Sequence, residues 1–211
     1  EGQRRDAGST IKKTHKSIKM SHKQTPSQTV GPYFAYGLTS DQYGYRLKSL
    51  LQPYTTDDNT IGERIRVIGH VLDGNGNPVD DAMIESWQAN AEGRYSGPSG
   101  NTGFKGFGRV GTGSDPENRF WFNTIKPGAL EDGQAPHLNL IIFMRGLLSH
   151  VYTRIYFSDE IEANSHDLVL NAMEETRRAT LVAKRQETPQ GIVYHFDIHM
   201  QGDRETVFFD V

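Results

Sequence analysis

Cysteine is absent from all 211 residues, which removes disulfides, thiolate zinc sites and a cysteine nucleophile together. No apolar run approaches the roughly 20 residues that a bilayer-spanning helix needs. The positively charged N-terminal stretch is not followed by the apolar segment of a secretory signal. These absences fit a cytoplasmic protein best. Missing too are a nucleophile elbow, a phosphate-binding glycine loop and a His-Glu-x-x-His zinc motif. Tryptophan is scarce, and Trp87 and Trp121 are both expected in the core.

What remains is a chain of one-domain length, 35% hydrophobic and 10% aromatic, enough to build a core under a polar surface. Its net charge of −3 is uneven: seven basic residues against Glu1 and Asp6 give residues 1–23 a net of +5 and leave −8 for the rest. Such an arm suits nucleic acid or a partner's surface; the blander reading is an added or alternative-start extension before Met20. Residues 1–24 are therefore read as a basic flexible extension and 25–211 as the folded domain. Nothing in the acidic body supports nucleic-acid binding.

From Thr25 to Phe34 the sequence is rich in turn formers and reads as an extended segment laid over a surface. Tyr45–Leu51 reads as a short helical piece. Strand signals follow. In Arg64–Leu72, Ile65, Val67, Gly69 and Val71 alternate with more polar neighbours, the mark of a half-buried strand. Asp73-Gly-Asn-Gly-Asn-Pro78 is a turn; its likeness to a calcium loop fails for want of the closing bidentate acid. Further strands are expected at Ala82–Gln88, Arg119–Asn123, His137–Phe143, Val151–Phe157, Ile192–Met200 and Glu205–Asp210. Asp167–Lys184 reads as helical, with Leu168, Leu170, Met173, Leu181 and Val182 buried. Gly103, Gly106, Gly108 and Gly111 mark a loop. Six or seven short strands with one helical insertion predict an all-β fold, a β-sandwich.

Eight histidines invite a metal site. His195 and His199 share a strand face with Asp197 but stand about 13 Å apart at the usual rise, too far to share an ion. His137-Leu138-Asn139 is more suggestive, because residues i and i+2 of a strand point the same way. Yet Asn139 is a neutral, hard donor, poor for a transition metal. Tyr95 could supply a phenolate, but one histidine and one tyrosine make half a site.

The chain resembles the intradiol dioxygenases, and among them the alpha chains of the two-chain members. The resemblance runs from about Thr25 to Val211. It rests on Thr25-Pro-Ser-Gln-Thr-Val-Gly-Pro-Tyr33, Asp73-Gly-Asn-Gly, Trp87-Gln-Ala-Asn90, Thr124-Ile-Lys-Pro-Gly128, Ala135-Pro-His137, Thr153-Arg-Ile-Tyr-Phe157 and Gln201-Gly-Asp-Arg-Glu-Thr-Val-Phe-Phe-Asp210. It implies a β-sandwich core resembling that of transthyretin, and a homologous beta subunit as partner in a higher (αβ)n oligomer. It also implies cleavage of an aromatic dihydroxy substrate with O2 and Fe(III).

In this family the beta chain binds Fe(III) through two tyrosines and two histidines. One tyrosine matches Tyr95. The other falls after Lys-Pro-Gly, where this chain reads Ala129-Leu-Glu131. The His-x-His becomes His137-x-Asn139, and an arginine three residues earlier becomes Gln134. The resemblance thus implies a degenerate iron site at Tyr95, Gln134, His137 and Asn139, with the metal on the partner and no catalytic residue in this chain alone. It assigns substrate-pocket roles to Thr29, Val30, Gly31, Pro32, Tyr33 and Arg145. Tyr33 packing only at a subunit contact, and Arg145 in a surface salt bridge, remain open. Three rivals stand beside this reading: a homodimer with its own iron, a transthyretin-like binding module, and a nucleic-acid binder acting through the arm.

Overall fold

The computed structural model describes residues 31–96 and 104–210, so the basic extension, Thr29 and Val30 lie outside the described residues. Helix α1 (Pro32–Leu38) precedes strands β1 (Arg64–Leu72), β2 (Met83–Gln88), β3 (Phe107–Gly111), β4 (Arg119–Ile125), β5 (His137–Phe143) and β6 (Val151–Phe157). Three short helices follow, α2 (Ile161–His166), α3 (Leu168–Asn171) and α4 (Glu175–Arg178), and then β7 (Val182–Thr188), β8 (Gly191–His195) and β9 (Ile198–His199). The strands run in the order β3-β2-β5-β6-β7-β8-β1-β4, with β9 beside β1. The expected all-β architecture is the one observed.

Strand β7 joins two leaves. Its first residues pair parallel with β6, while Lys184–Thr188 pair antiparallel with β8. Inward residues of one leaf (Ile84, Leu140, Ile155) meet those of the other (Val67, Phe120, Phe122) in a single core. Burying each such side chain stabilises the fold by about 1.5–3 kcal/mol.

Strand β1 has its expected bounds, and Ile65, Val67, Gly69 and Val71 are its buried positions. Gly69 is there for space. An added Cβ would lie 1.7 Å from the Phe196 carbonyl oxygen. That close approach divides the predicted strand Ile192–Met200 into β8 and β9, which pair with β1 on either side in one register. At the break the Asp197 carboxylate accepts the His70 backbone N–H at 2.9 Å. The expected alternation survives: Tyr194, Phe196 and Ile198 are buried, and His195 and Asp197 are exposed.

Several expectations fail for identifiable reasons. Pro32-Tyr33-Phe34 opens α1 rather than continuing an extended segment; proline at a first helical turn forfeits no bond, because that N–H has no partner anyway. Tyr45–Leu51 is not helical, and Glu205–Asp210 forms only one isolated bridge, Tyr152 with Phe209. The helical run from Asp167 ends early, since Val182–Thr188 is β7, and Leu168 is exposed. Of the glycine-rich stretch read as a loop, Gly108 and Gly111 lie in β3, Gly106 precedes it, and Gly103 lies outside the described residues. Trp87 is 50% exposed on the outer face of its sheet rather than in the core. The Asp73 turn is a plain turn: its carboxylate accepts the backbone N–H groups of Asn77 and Asn75 at 2.8 and 2.9 Å, which holds its pKa low.

The two outermost strands meet a common plug, Gln52–Thr55. Against β4, Thr55 N donates to Asn123 O and Asn123 N to Pro53 O; on the β3 side, Lys105 N donates to Thr55 O and Arg109 N to Gln52 O. Beneath it a buried polar chain is fully satisfied. The Thr55 hydroxyl donates to Thr124 Oγ1, Thr124 to Gln88 Oε1, and Gln88 Nε2 to the Ile125 carbonyl, at 2.7, 2.7 and 2.8 Å.

Candidate functional site

Strand β5 presents His137, Asn139, Ile141 and Phe143 on its outer face. The sequence-predicted site residues fall at its two ends, about 20 Å apart at strand rise.

At the His137 end, Tyr95 is held by a turn. Asn90 Oδ1 accepts the N–H groups of Glu92 and Arg94 at 3.0 and 2.9 Å. Gly93 adopts φ +75° with the Ala129 carbonyl so close that a Cβ would lie 1.8 Å from it. Gly128 donates its N–H to Asn90 O at 2.9 Å. The Gly-x-Tyr and Lys-Pro-Gly loops therefore interlock, and each needs its glycine.

Tyr95 Oη accepts a hydrogen bond from Asn139 Nδ2 at 2.8 Å, and its ring packs 5.0 Å from Trp87. Burial pushes the Tyr95 phenol above its ordinary pKa, against the pull of Asn139 and Arg154. His137 is 3% exposed; its Nδ1 donates to the Ala135 carbonyl at 2.7 Å, and its Nε2 has no hydrogen-bond partner. Gln134 Oε1 accepts from Arg154 Nη1 at 2.8 Å. Arg154 also donates to the Tyr156 hydroxyl at 3.3 Å, which in turn donates to Asp167 at 3.3 Å. Burial raises Tyr156 to about 12, with Arg154 opposing. Asp167 has no exposed surface; it accepts Leu170 N at 2.7 Å and Ala135 N at 2.8 Å, capping α3 and fixing the segment before His137.

The structure thus brings Tyr95, Gln134, His137 and Asn139 together. It adds Trp87, Arg154, Tyr156 and Asp167, which sequence reasoning did not place at the site. The available signal was period two: in Thr153–Phe157, Arg154 and Tyr156 alternate with buried Thr153, Ile155 and Phe157, and they sit opposite Asn139 and His137.

This donor set does not fit a ferric ion. It offers one neutral imidazole, a phenol kept protonated by burial, and an amide whose N–H₂ is turned to that phenol. Arg154 adds positive charge where a metal would want negative. Among the described residues no group of three or more His, Cys, Asp or Glu could hold a metal.

Burial pushes the His137 imidazole below 6.5, with Arg154 adding to the shift and the Ala135 carbonyl opposing. On acidification the unfolded chain, with a histidine pKa near 6.5, takes up this proton before the folded one. The contribution to stability is present above about pH 6.5 and lost as pH falls toward the folded pKa, by at most about 1.4 kcal/mol per pH unit. Urea unfolding at pH 7.5 and 5.5 should show a weaker pH dependence in His137→Phe than in the parent chain. Equal dependence would refute the assignment.

At the other end, Phe34 of α1 packs 5.4 Å from Phe143 and against Met83. Gly31, Pro32 and Tyr33 are placed there at the start of α1. Arg145 follows β5, is 75% exposed, and pairs with Asp81 at 3.1 Å.

A family model described as Dioxygenase matches residues 31–202. The protocatechuate 3,4-dioxygenase alpha chain of Burkholderia cepacia is 53% identical over 90% of this chain and 98% of its own length. The beta chain of the same enzyme and organism is 35% identical over 67% of this chain and 66% of its own. In fold, the dioxygenase domain of a dioxygenase–carbohydrate-binding protein fusion from Streptomyces sp. SirexAA-E superposes with a TM-score of 0.58 at 23% identity, covering 87% of this chain and 99% of that one. The chain belongs to the intradiol ring-cleavage dioxygenase family.

Proposed function

We propose that this chain is the alpha subunit of a cytoplasmic αβ protocatechuate 3,4-dioxygenase whose homologous beta subunit holds the Fe(III). The complex, assembled as (αβ)n, opens protocatechuate between its two hydroxyl-bearing carbons with O2, giving 3-carboxy-cis,cis-muconate. One observation carries this reading. The His137 site keeps the family's frame but offers a donor set unsuited to iron, so an active enzyme must take its metal from another chain. Likeness to both alpha and beta chains supports it.

The partner's ferric ion supplies Lewis acidity and a template for the two catechol oxygens. This chain supplies shape and charge. Gly31 and Pro32 at the start of α1, with Thr29 and Val30 before them in sequence and Tyr33 after, wall the substrate pocket. Arg145, held by Asp81 at the same end of β5, meets the substrate carboxylate with its remaining donors. Among the described residues no helix is long and apolar enough to cross a membrane.

Co-expression with a beta chain tests the reading. Iron should be stoichiometric with αβ pairs, with a visible tyrosinate-to-iron charge-transfer band, while this chain alone should carry neither. Stoichiometric iron and colour in the isolated chain would overturn it.

A further inference from the structure

We propose that Arg154 is the fixed cation that keeps the His137 site free of metal. It acts by its charge, so returning the missing histidine would not restore a metal centre while Arg154 remains. Register places it. Asn139 faces Arg154 across β5 and β6, and His137 faces Tyr156 one row along. Facing Cα atoms of paired strands lie about 5 Å apart. The charge is felt by both remaining donors: burial raises the Tyr95 phenol and Arg154 opposes it, while burial lowers the His137 imidazole and Arg154 adds to the shift.

The guanidinium is fastened. Its Nη1 donates to Gln134 Oε1 at 2.8 Å and to the Tyr156 hydroxyl at 3.3 Å, and its Cζ lies 5.7 Å over the Phe209 ring. Tyr156 is anchored in turn on Asp167, which has no exposed surface. A group held on three sides does not swing aside for an incoming ion. Nor is its charge cancelled. Arg109, Arg119, Arg145 and Arg185 each pair with a carboxylate. Among the described residues Arg154 forms no ion pair; the oxygens it meets belong to an amide and a phenol. A guanidinium stays protonated at any working pH. A divalent ion in this frame would meet an uncompensated positive charge. At the effective dielectric of a protein site, a unit charge within about 7 Å weakens such binding by at least about a hundredfold. A chain so protected does not compete with its partner for iron, although it retains a buried imidazole nitrogen without a partner.

Zinc is the probe, since it needs no redox partner and is held by three protein ligands with water in the fourth position. Asn139→His returns an imidazole two residues from His137 on one strand face, with the Tyr95 phenol as a third donor. The full chain is used in complex with its beta partner where the two co-purify, and alone otherwise. Affinity is read by competition with a chromophoric chelator, and zinc and iron are counted by elemental analysis. Asn139→His should bind zinc no better than the parent chain. Asn139→His with Arg154→Gln should gain one zinc per chain, bound at least about a hundredfold more tightly, and should lose it when His137→Phe is added. Asn139→His with Arg154→Lys should stay without that zinc, because the charge is kept while the shape changes. If Arg154→Gln does not fold, Arg154→Met replaces it, keeping an apolar stem against Phe209 without the charge. Tight zinc in Asn139→His alone would overturn the proposal. So would an equal gain in the Arg154→Lys and Arg154→Gln versions, or no gain in any version. Iron in the parent complex, counted in the same samples, tests the proposed function separately.

Discussion

Gly69→Ala should destabilise the chain by about 3 kcal/mol, the upper part of the usual range for forced overpacking. For a domain of this size that lowers Tm by about 6–12 °C. The new methyl would lie 1.7 Å from the Phe196 carbonyl oxygen, and Phe196 has little room to retreat. Its ring is buried in the core, its N–H donates to Ile68 O at 3.0 Å, and the next residue, Asp197, is tied to His70 N. Relief requires β8 and β9 to part from β1 together. Gly76→Ala is the control. Gly76 has φ +81° but nothing within 4 Å of an added Cβ, so it should cost only the 1–2 kcal/mol of a left-handed backbone. Thermal unfolding of the two variants decides; equal losses would mean that the Phe196 contact is not what requires glycine.

Arg145→Gln should raise KM for protocatechuate about 10- to 100-fold with little change in kcat. A charge-assisted hydrogen bond to a carboxylate is worth about 1.5–3 kcal/mol, and about 1.4 kcal/mol is tenfold. An interaction equally strong in ground and transition states moves KM alone. Arg145→Gln also leaves Asp81 unpaired beside an anionic substrate, which adds to the loss. Catechol, lacking the carboxylate, should be indifferent to the change, and Arg145→Lys should recover part of the affinity. If the pair with Asp81 is the arginine's whole role, the variant will lose at most about 1 kcal/mol of stability and KM will stay put. Steady-state kinetics on both substrates separates these cases.

How much of this was legible in the sequence differs from strand to strand. β1, β5 and β6 have the bounds expected from the sequence; in β1 that is because alternate residues are buried against the core while their neighbours are more exposed. β3 was hidden because Gly108 packs against the Gln52–Thr55 plug; its glycines answer to a neighbour distant in sequence. β7 was hidden because Lys184, Arg185, Gln186 and Glu187 suit an exposed strand and a helix equally. The degenerate site could be recognised from Tyr95, Gln134, His137 and Asn139, yet Arg154 could not. Its role comes from cross-strand register, which one sequence does not display.

The plug at Gln52–Thr55 has a bearing on solubility. Open sheets end in rows of unpaired amides and carbonyls that recruit strands from other molecules. Here a single stretch of backbone occupies parts of both terminal rows, with proline at its second position. The two aggregation-prone borders are therefore guarded jointly, and a lesion that dislodges this one stretch bares both at once.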